Sequence, residues 1–204
     1  DEAFGMPDDT QSGRQVSQGL LVDITDRKRL ESKLIHDALH DPLTGLANRV
    51  LLRDHLERAL ARRGRSPVTI ALLFVDLDDF KRINDSYGHA AGDQILVRVA
   101  ERLVDTVRAE DVVGRQSGDE FAVLLAQVRD PDEAAVSAKR ILGELRRPIL
   151  LGAHSIVVGG TIGVAVAMEP GATAEDLLTQ ADAAMYAAKA DGKGRHAVYD
   201  RWMP

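Results

Sequence analysis

The chain has 204 residues, 45% of them hydrophobic and 28% charged, with a formal net charge of −6 and no cysteine. That balance is ordinary for a globular domain. The absence of cysteine excludes disulfides and thiolate metal sites, no apolar run approaches the ~20 residues a membrane-spanning helix needs, and the negative charge argues against a sequence-blind nucleic-acid binder, whose surface must be basic. The length suffices for one full domain with an appendage, and no internal repeat is visible. With neither an initiator Met nor a signal peptide, the chain is expected to be a piece of a longer protein.

Residues 1–18 are rich in Asp, Gly, Ser and Gln and read as disordered. A short β-like run, GLLVDIT (19–25), leads into a charged helical segment, 26–40. Leu30, Leu34 and Ala38 recur there every four residues, barely two heptads and only the beginning of a coiled-coil pattern. DPLTGLANR (41–49) is a turn into a helix over 50–63, with Leu51, Leu52, Leu56 and Leu60 on one face. A strand over 68–76 follows, then a helix from Asp79 to Tyr87, a break at Gly88 and a restart near Gly92. The helix 92–108 is amphipathic through Ile95, Leu96, Val99, Leu103, Val104 and Val107. A hairpin (112–126), a helix (131–146), two strands around His154–Ser155, a helix (174–190) and a last strand, RHAVYD, complete the pattern. The second of the two strands is SIVVGGTIGVAVA. Helices alternating with strands, some antiparallel, predict an α/β sandwich around one central sheet.

The hairpin GRQSGDEFAVL (114–124) sets Asp119 and Glu120 side by side after a small-residue turn. Adjacent acids at a tight turn repel each other and gain no burial, which weakens a purely structural role. The strand TIALLFVDLDDF brings Asp76 and Asp78 to its C-terminal end. Two acid clusters on two strand ends suit phosphoryl transfer, where carboxylates bridge cations ~3.5–4 Å apart. Acids opening a helix at Asp79 would explain Asp78 or Asp79 through the helix dipole, but not Asp76. The amides of Asp79 and Phe80 open that helix, where phosphate is readily held. Lys81, one turn on, is placed to offset charge at a transferred phosphate; a solvated helix lysine is the bland alternative. In KRINDSYGHAAGD, Asn84 and Asp93 flank a glycine-broken bend. One carboxylate accepts both N1–H and N2–H of guanine, and an amide both donates and accepts. Capping is the local alternative for Asp93. Lys189 and Lys193 lie four apart across the end of the last helix, where basic residues also suit the dipole.

Together these segments resemble the GGDEF family of diguanylate cyclases, in an SGDEF variant, over roughly residues 36–200. The resemblance implies a palm-like nucleotidyl-cyclase sandwich over residues 41–200, its central sheet mostly antiparallel and flanked by helices. It implies that Asp76, Asp119 and the Leu77 carbonyl hold Mg²⁺ or Mn²⁺, with Asp119 also the favoured base and Glu120 assisting. Lys81 then acts at the transferred phosphate. Asn84 and Asp93 read guanine, His89 lines the pocket, and Asp79, Phe80, Gly118, Lys189 and Lys193 meet the phosphates. The family's usual AKxxGRN or AKxxGKN run carries Asn where this chain has Gly194. Arg108 and Asp111 match the family's RxxD product-inhibition site. Ser117 stands where the family has its first Gly, with less freedom for positive φ.

The implied reaction joins two GTP into cyclic di-GMP and two pyrophosphates across a homodimer, in the cytoplasm. VDITDRKRLE resembles the closing strand and exit helix of PAS sensor domains, which would make residues 19–40 the end of a sensor and its signalling helix. YDRWMP weakly resembles the connector into an EAL phosphodiesterase domain, with 201–204 as that connector. A degenerate domain that binds GTP or cyclic di-GMP and regulates a neighbour is the non-enzymatic alternative, and Ser117 is its main support.

Overall fold

The computed structural model describes residues 25–63, 69–169 and 171–203. The expected disorder over 1–18 and the β-like run up to residue 24 lie outside them. The fold is set by its most apolar strand. In β1 (Thr69–Asp78), Leu73, Val75 and Leu77 face one side of a sheet and Ile70, Leu72 and Phe74 the other, and both faces are covered. A strand buried on both faces reads as a continuous apolar run rather than an alternating one. On the first face lie α4 (His89–Thr106), through Ile95, Val99 and Leu103, and α5 (Pro131–Leu145), through Ala138, Ile141 and Leu145. The other is covered by α2 (Arg49–Arg63), through Leu52 and Leu56, and α6 (Ala174–Ala190), through Leu177, Ala181 and Met185.

β1 is the middle of five strands. The order is β2 (Val112–Ser117), β3 (Glu120–Val128), β1, β6 (Gly159–Val166) and β7 (His196–Val198). Every pairing is antiparallel except β6 with β7, which is parallel. The mostly antiparallel α/β sandwich is therefore present. α6 lies so close on β6 that a Cβ on Gly163 would fall 1.9 Å from the Ala181 carbonyl oxygen. Only glycine admits that approach.

Three local expectations are corrected. The segment SIVVGGTIGVAVA forms two strands, not one. Its start is β5 (His154–Ile156), which pairs with β4 (Ile149–Leu151) in a separate hairpin. The chain then leaves that hairpin through an exposed Val157 and joins the central sheet at Gly159, opposite Asp78. β1 itself runs two residues past its expected end, because Leu77 and Asp78 still pair with Gly160 and Gly159. The helix break is at Gly88 alone, at φ +82, and α4 restarts at once at His89. Gly92 is inside α4, so Asp93 is a helical residue and not an N-cap.

α3 (Phe80–Tyr87) connects the end of β1 to that break. α1 (Thr25–Leu39) precedes the sandwich and leaves Leu30 and Leu34 62% and 66% exposed. Asn48 ties it to α2: its Nδ2 donates to the Ala38 carbonyl at 2.8 Å, and its Oδ1 accepts from Val50 and Leu51 N–H. None of the described helices is long and apolar enough to cross a membrane.

Candidate active site

The end of β1 and the tip of the β2–β3 hairpin are neighbours because β1 pairs with β3. Asp76 is the register partner of Glu120, and Leu77 N–H donates to the Asp119 carbonyl at 3.3 Å. The Asp76 and Asp119 carboxylates thereby reach one another's field. Burial pushes the Asp76 carboxyl above its ordinary range. Asp119 and Asp78 add to that shift, and together these effects outweigh Lys189, whose Nζ lies 2.8 Å from Asp76 Oδ2. A half-buried acid pair that still carries excess negative charge beside an ammonium favours a further cation. Among the described residues no three His, Cys, Asp or Glu side chains converge. A cation here would therefore have two carboxylates and draw its remaining ligands from backbone, phosphate and water, which suits Mg²⁺. The residues present fit the group.

The departure at Ser117 costs no backbone strain. Positive φ in the turn falls on Gly118, at +46, and not on Ser117. The serine ends β2 opposite Glu120, and their Oγ and Oε2 are 2.6 Å apart, so its hydroxyl fixes the second acid of the pair. Arg115, which the motifs did not single out, holds the same turn. Its Nε and Nη2 donate to the Gly118 carbonyl at 3.0 and 2.6 Å, and its Nη1 to both oxygens of Asp41 at 3.0 and 3.2 Å. Burial raises the Asp41 carboxyl, but hydrogen bonds from the Thr44 side chain and backbone and from Arg115 outweigh it and hold it below the usual range. No sequence signal links positions 41 and 115.

α3 opens on Asp79, at φ +57, with Phe80 buried beneath it and Lys81 exposed on its first turn. Phe80 can thus offer a phosphate only its backbone. Asn84 and Gly92 are in contact across α3 and α4: a Cβ on Gly92 would lie 1.9 Å from Asn84 Oδ1. That oxygen is buried and has no hydrogen-bond partner, an unmet acceptor beside the position before Asp93. Asp93 and His89 are both exposed on the first turns of α4.

The two lysines close the site from the far side. Lys189 reaches Asp76, and Lys193 Nζ lies 3.0 Å from Asp79 Oδ1, an acid that raises the Lys193 ammonium's affinity for its proton. Gly194 follows at φ +63, in the left-handed region that both Gly and Asn enter readily. The replacement of the family's Asn is thus conformationally neutral.

Arg108 lines a cleft of about 330 Å³ with Arg129, Glu133 and Arg140, and its backbone N–H ties it to Asp111. Asp111 already accepts from Arg108 and Ala126 N–H, each at 3.0 Å. The Arg108 guanidinium donates to Glu133 Oε1 at 3.2 Å. Hydrogen bonds from the backbone and side chain of Arg129 hold that carboxyl down to about 2.

The family of diguanylate cyclase GGDEF domains matches residues 38–195. A bifunctional diguanylate cyclase/cyclic di-GMP phosphodiesterase of Pseudomonas aeruginosa, MucR, is 42% identical over 88% of this chain, which spans 26% of MucR. The GGDEF domain structure of TpbB from the same species is 41% identical, covers 79% of this chain and 94% of its own, and superposes with a TM-score of 0.76. The coiled coil and GGDEF domain of DgcB from Caulobacter crescentus, solved with cyclic di-GMP, is 31% identical over 84% of this chain and 91% of its own, also with a TM-score of 0.76. With acids, lysines and the Asn84–Gly92 contact at one end of a sheet of this order, the chain belongs to the GGDEF diguanylate cyclase family.

Proposed function

We propose that this chain is an active diguanylate cyclase that condenses two GTP into cyclic di-GMP and two pyrophosphates. The observation that carries the reading is the meeting of Asp76 and Asp119 at one sheet end with Lys189 beside them. Asp76, Asp119 and the Leu77 carbonyl would hold Mg²⁺ or Mn²⁺, which when bound supplies Lewis-acid neutralisation of charge at the transferred phosphate. Lys189 and Lys193 bind the β- and γ-phosphates in place of Asp76 and Asp79. Lys81 offsets charge at the α-phosphate, and the Asp79, Phe80 and Gly118 backbones position the chain of phosphates. Asn84 and Asp93 read the guanine edge, with His89 at the rim, and so favour GTP over ATP. Asp119 takes the proton of the attacking 3′-hydroxyl while Ser117 keeps Glu120 turned towards the hairpin.

One domain holds one GTP, so two copies must face each other. Arg108 and Asp111 bind the product as a brake, which requires Glu133 to give up the Arg108 guanidinium. PAS and EAL neighbours in a longer cytoplasmic protein remain part of this reading, on sequence resemblance alone. The receptor alternative rested mainly on Ser117, and a serine outside the positive-φ position and bonded to Glu120 supports the enzyme instead. The test is incubation with GTP and Mg²⁺, reading cyclic di-GMP. Asp119→Ala should lose synthesis by at least about a hundredfold with unfolding unchanged; full synthesis in that variant would sink the assignment.

A further inference from the structure

Among the described residues, the non-glycine residues at positive φ are Asp79, at +57, and Lys193, at +50. They are 114 positions apart and are bonded to each other, Nζ to Oδ1 at 3.0 Å. Such conformations persist only where the surroundings over-determine them, and they gather at functional sites. Lys193 is held through the next peptide. Gly194 N–H donates to Asp78 Oδ2 at 3.0 Å and to Thr161 Oγ1 at 3.1 Å, and Thr161, fully buried, donates to Asp78 Oδ1 at 2.7 Å. The Gly194 carbonyl accepts from Arg146 Nη2.

Arg146 is the C-cap of α5, and that helix end is itself fixed. Arg102 of α4 donates to the carbonyls of Glu144, Leu145, Arg147 and Pro148. Gly194 is therefore gripped on both flanks, the sheet holding the peptide before it through its N–H and an anchored helix end holding the peptide after it through its carbonyl. We infer that Arg146 is a positioning residue for Lys193: by holding the Gly194 carbonyl it keeps the lysine in its left-handed conformation, aimed at the terminal phosphates of the nucleotide. The inference rests on the proposed binding of GTP at this site. Asp78 shares the task, but it adjoins the Asp76 site, whereas Arg146 acts from outside the acids. If Arg146 merely satisfied a surface carbonyl, its loss would alter stability and leave nucleotide discrimination untouched.

Calorimetric titration of the whole chain with a non-hydrolysable GTP analogue and with GMP separates these roles. Arg146→Met should weaken the analogue about three- to tenfold, the loss expected for one net hydrogen bond, and leave GMP unchanged. Lys193→Met should weaken the analogue at least as much. The double variant should match Lys193→Met alone, because a residue that acts through another adds nothing once that partner is gone. Arg146→Lys, which keeps a donor and guards against a misfolded methionine variant, should fall between parent and Arg146→Met. Unchanged analogue binding in Arg146→Met, equal weakening of GMP, or additive losses in the double variant would each overturn the inference. Analogue binding unaffected by Lys193→Met would instead remove Lys193 from the phosphate site, and no analogue binding by the parent would remove the GTP reading itself.

Discussion

Asp76 is where stability and chemistry are set against each other. Its folded carboxyl keeps a proton to higher pH than it does in the unfolded chain, because burial disfavours the anion. Between the two values the native state binds more protons, so this group's contribution falls as pH rises through the window and stays lost above it. Asp76→Asn should therefore raise the thermal midpoint modestly at pH 7, with the advantage shrinking as pH is lowered towards the ordinary aspartate range, while synthesis disappears. Mg²⁺ should raise the midpoint of the parent and not of the variant. A variant less stable than the parent at pH 7 would show that the Lys189 pair outweighs burial. Gly92 makes a separate point at the same scale. A Cβ there would displace Asn84, so Gly92→Ala should weaken GTP about tenfold and narrow its margin over ATP, since unpaired polar groups discriminate strongly. Equal GTP affinity in parent and variant, by titration, would break the link between that close contact and base choice.

At the scale of elements, the turn that follows α1 and the acid hairpin are one hydrogen-bonded unit. The Arg115 side chain is only 12% exposed and has Asp41 on one side and the Gly118 carbonyl on the other. Removing one partner of a largely buried pair leaves the other charge uncompensated, at a cost of about 3–5 kcal/mol. Asp41→Ala should lose stability in that range in urea and also lose synthesis, because the turn carrying Asp119 is no longer held. Stability and turnover equal to the parent's would mean that the brace is incidental. The same contact gives α1 a physical route to the site, since any rotation of its C-terminal end moves a residue that Arg115 ties to the hairpin.

For the whole molecule, the proposed reaction needs two nucleotides in antiparallel contact, while one sandwich carries a single acid hairpin. Among the described side chains of α1, Leu30 and Leu34 are large apolar residues left exposed, and two leucines alone bury too little area to hold a tight dimer. Specific activity should therefore climb with protein concentration and level off as dimers dominate. Flat specific activity from dilute to concentrated protein, with monomers throughout by light scattering, would end the two-half-site mechanism for this chain.

The sequence by itself determined what neighbouring positions can encode. Hydrophobic period placed α2, α5 and α6 nearly to the residue and found α4 with its start three residues late, turn chemistry placed the acid hairpin, and short motifs marked Asp76, Asp119, Asn84 and the two lysines. It also marked the break at Gly88, but gave Gly92 the same weight, because a glycine that starts a helix and one that admits a neighbour look alike in a string of letters. Tertiary structure alone decided what depends on strand order. The β1–β3 pairing makes two acid clusters one site, and the parallel β6–β7 pair carries the lysine loop back to Asp78. Arg115 with Asp41, Glu133 with Arg108, and Arg146 with Gly194 are bonds between elements far apart in sequence. Such bonds leave no periodic trace, because each end is one polar residue on an otherwise ordinary surface. Ser117 was open on sequence for the same reason: whether serine is tolerated depends on which residue of the turn takes positive φ, and the pairing of β2 with β3 assigns it to Gly118.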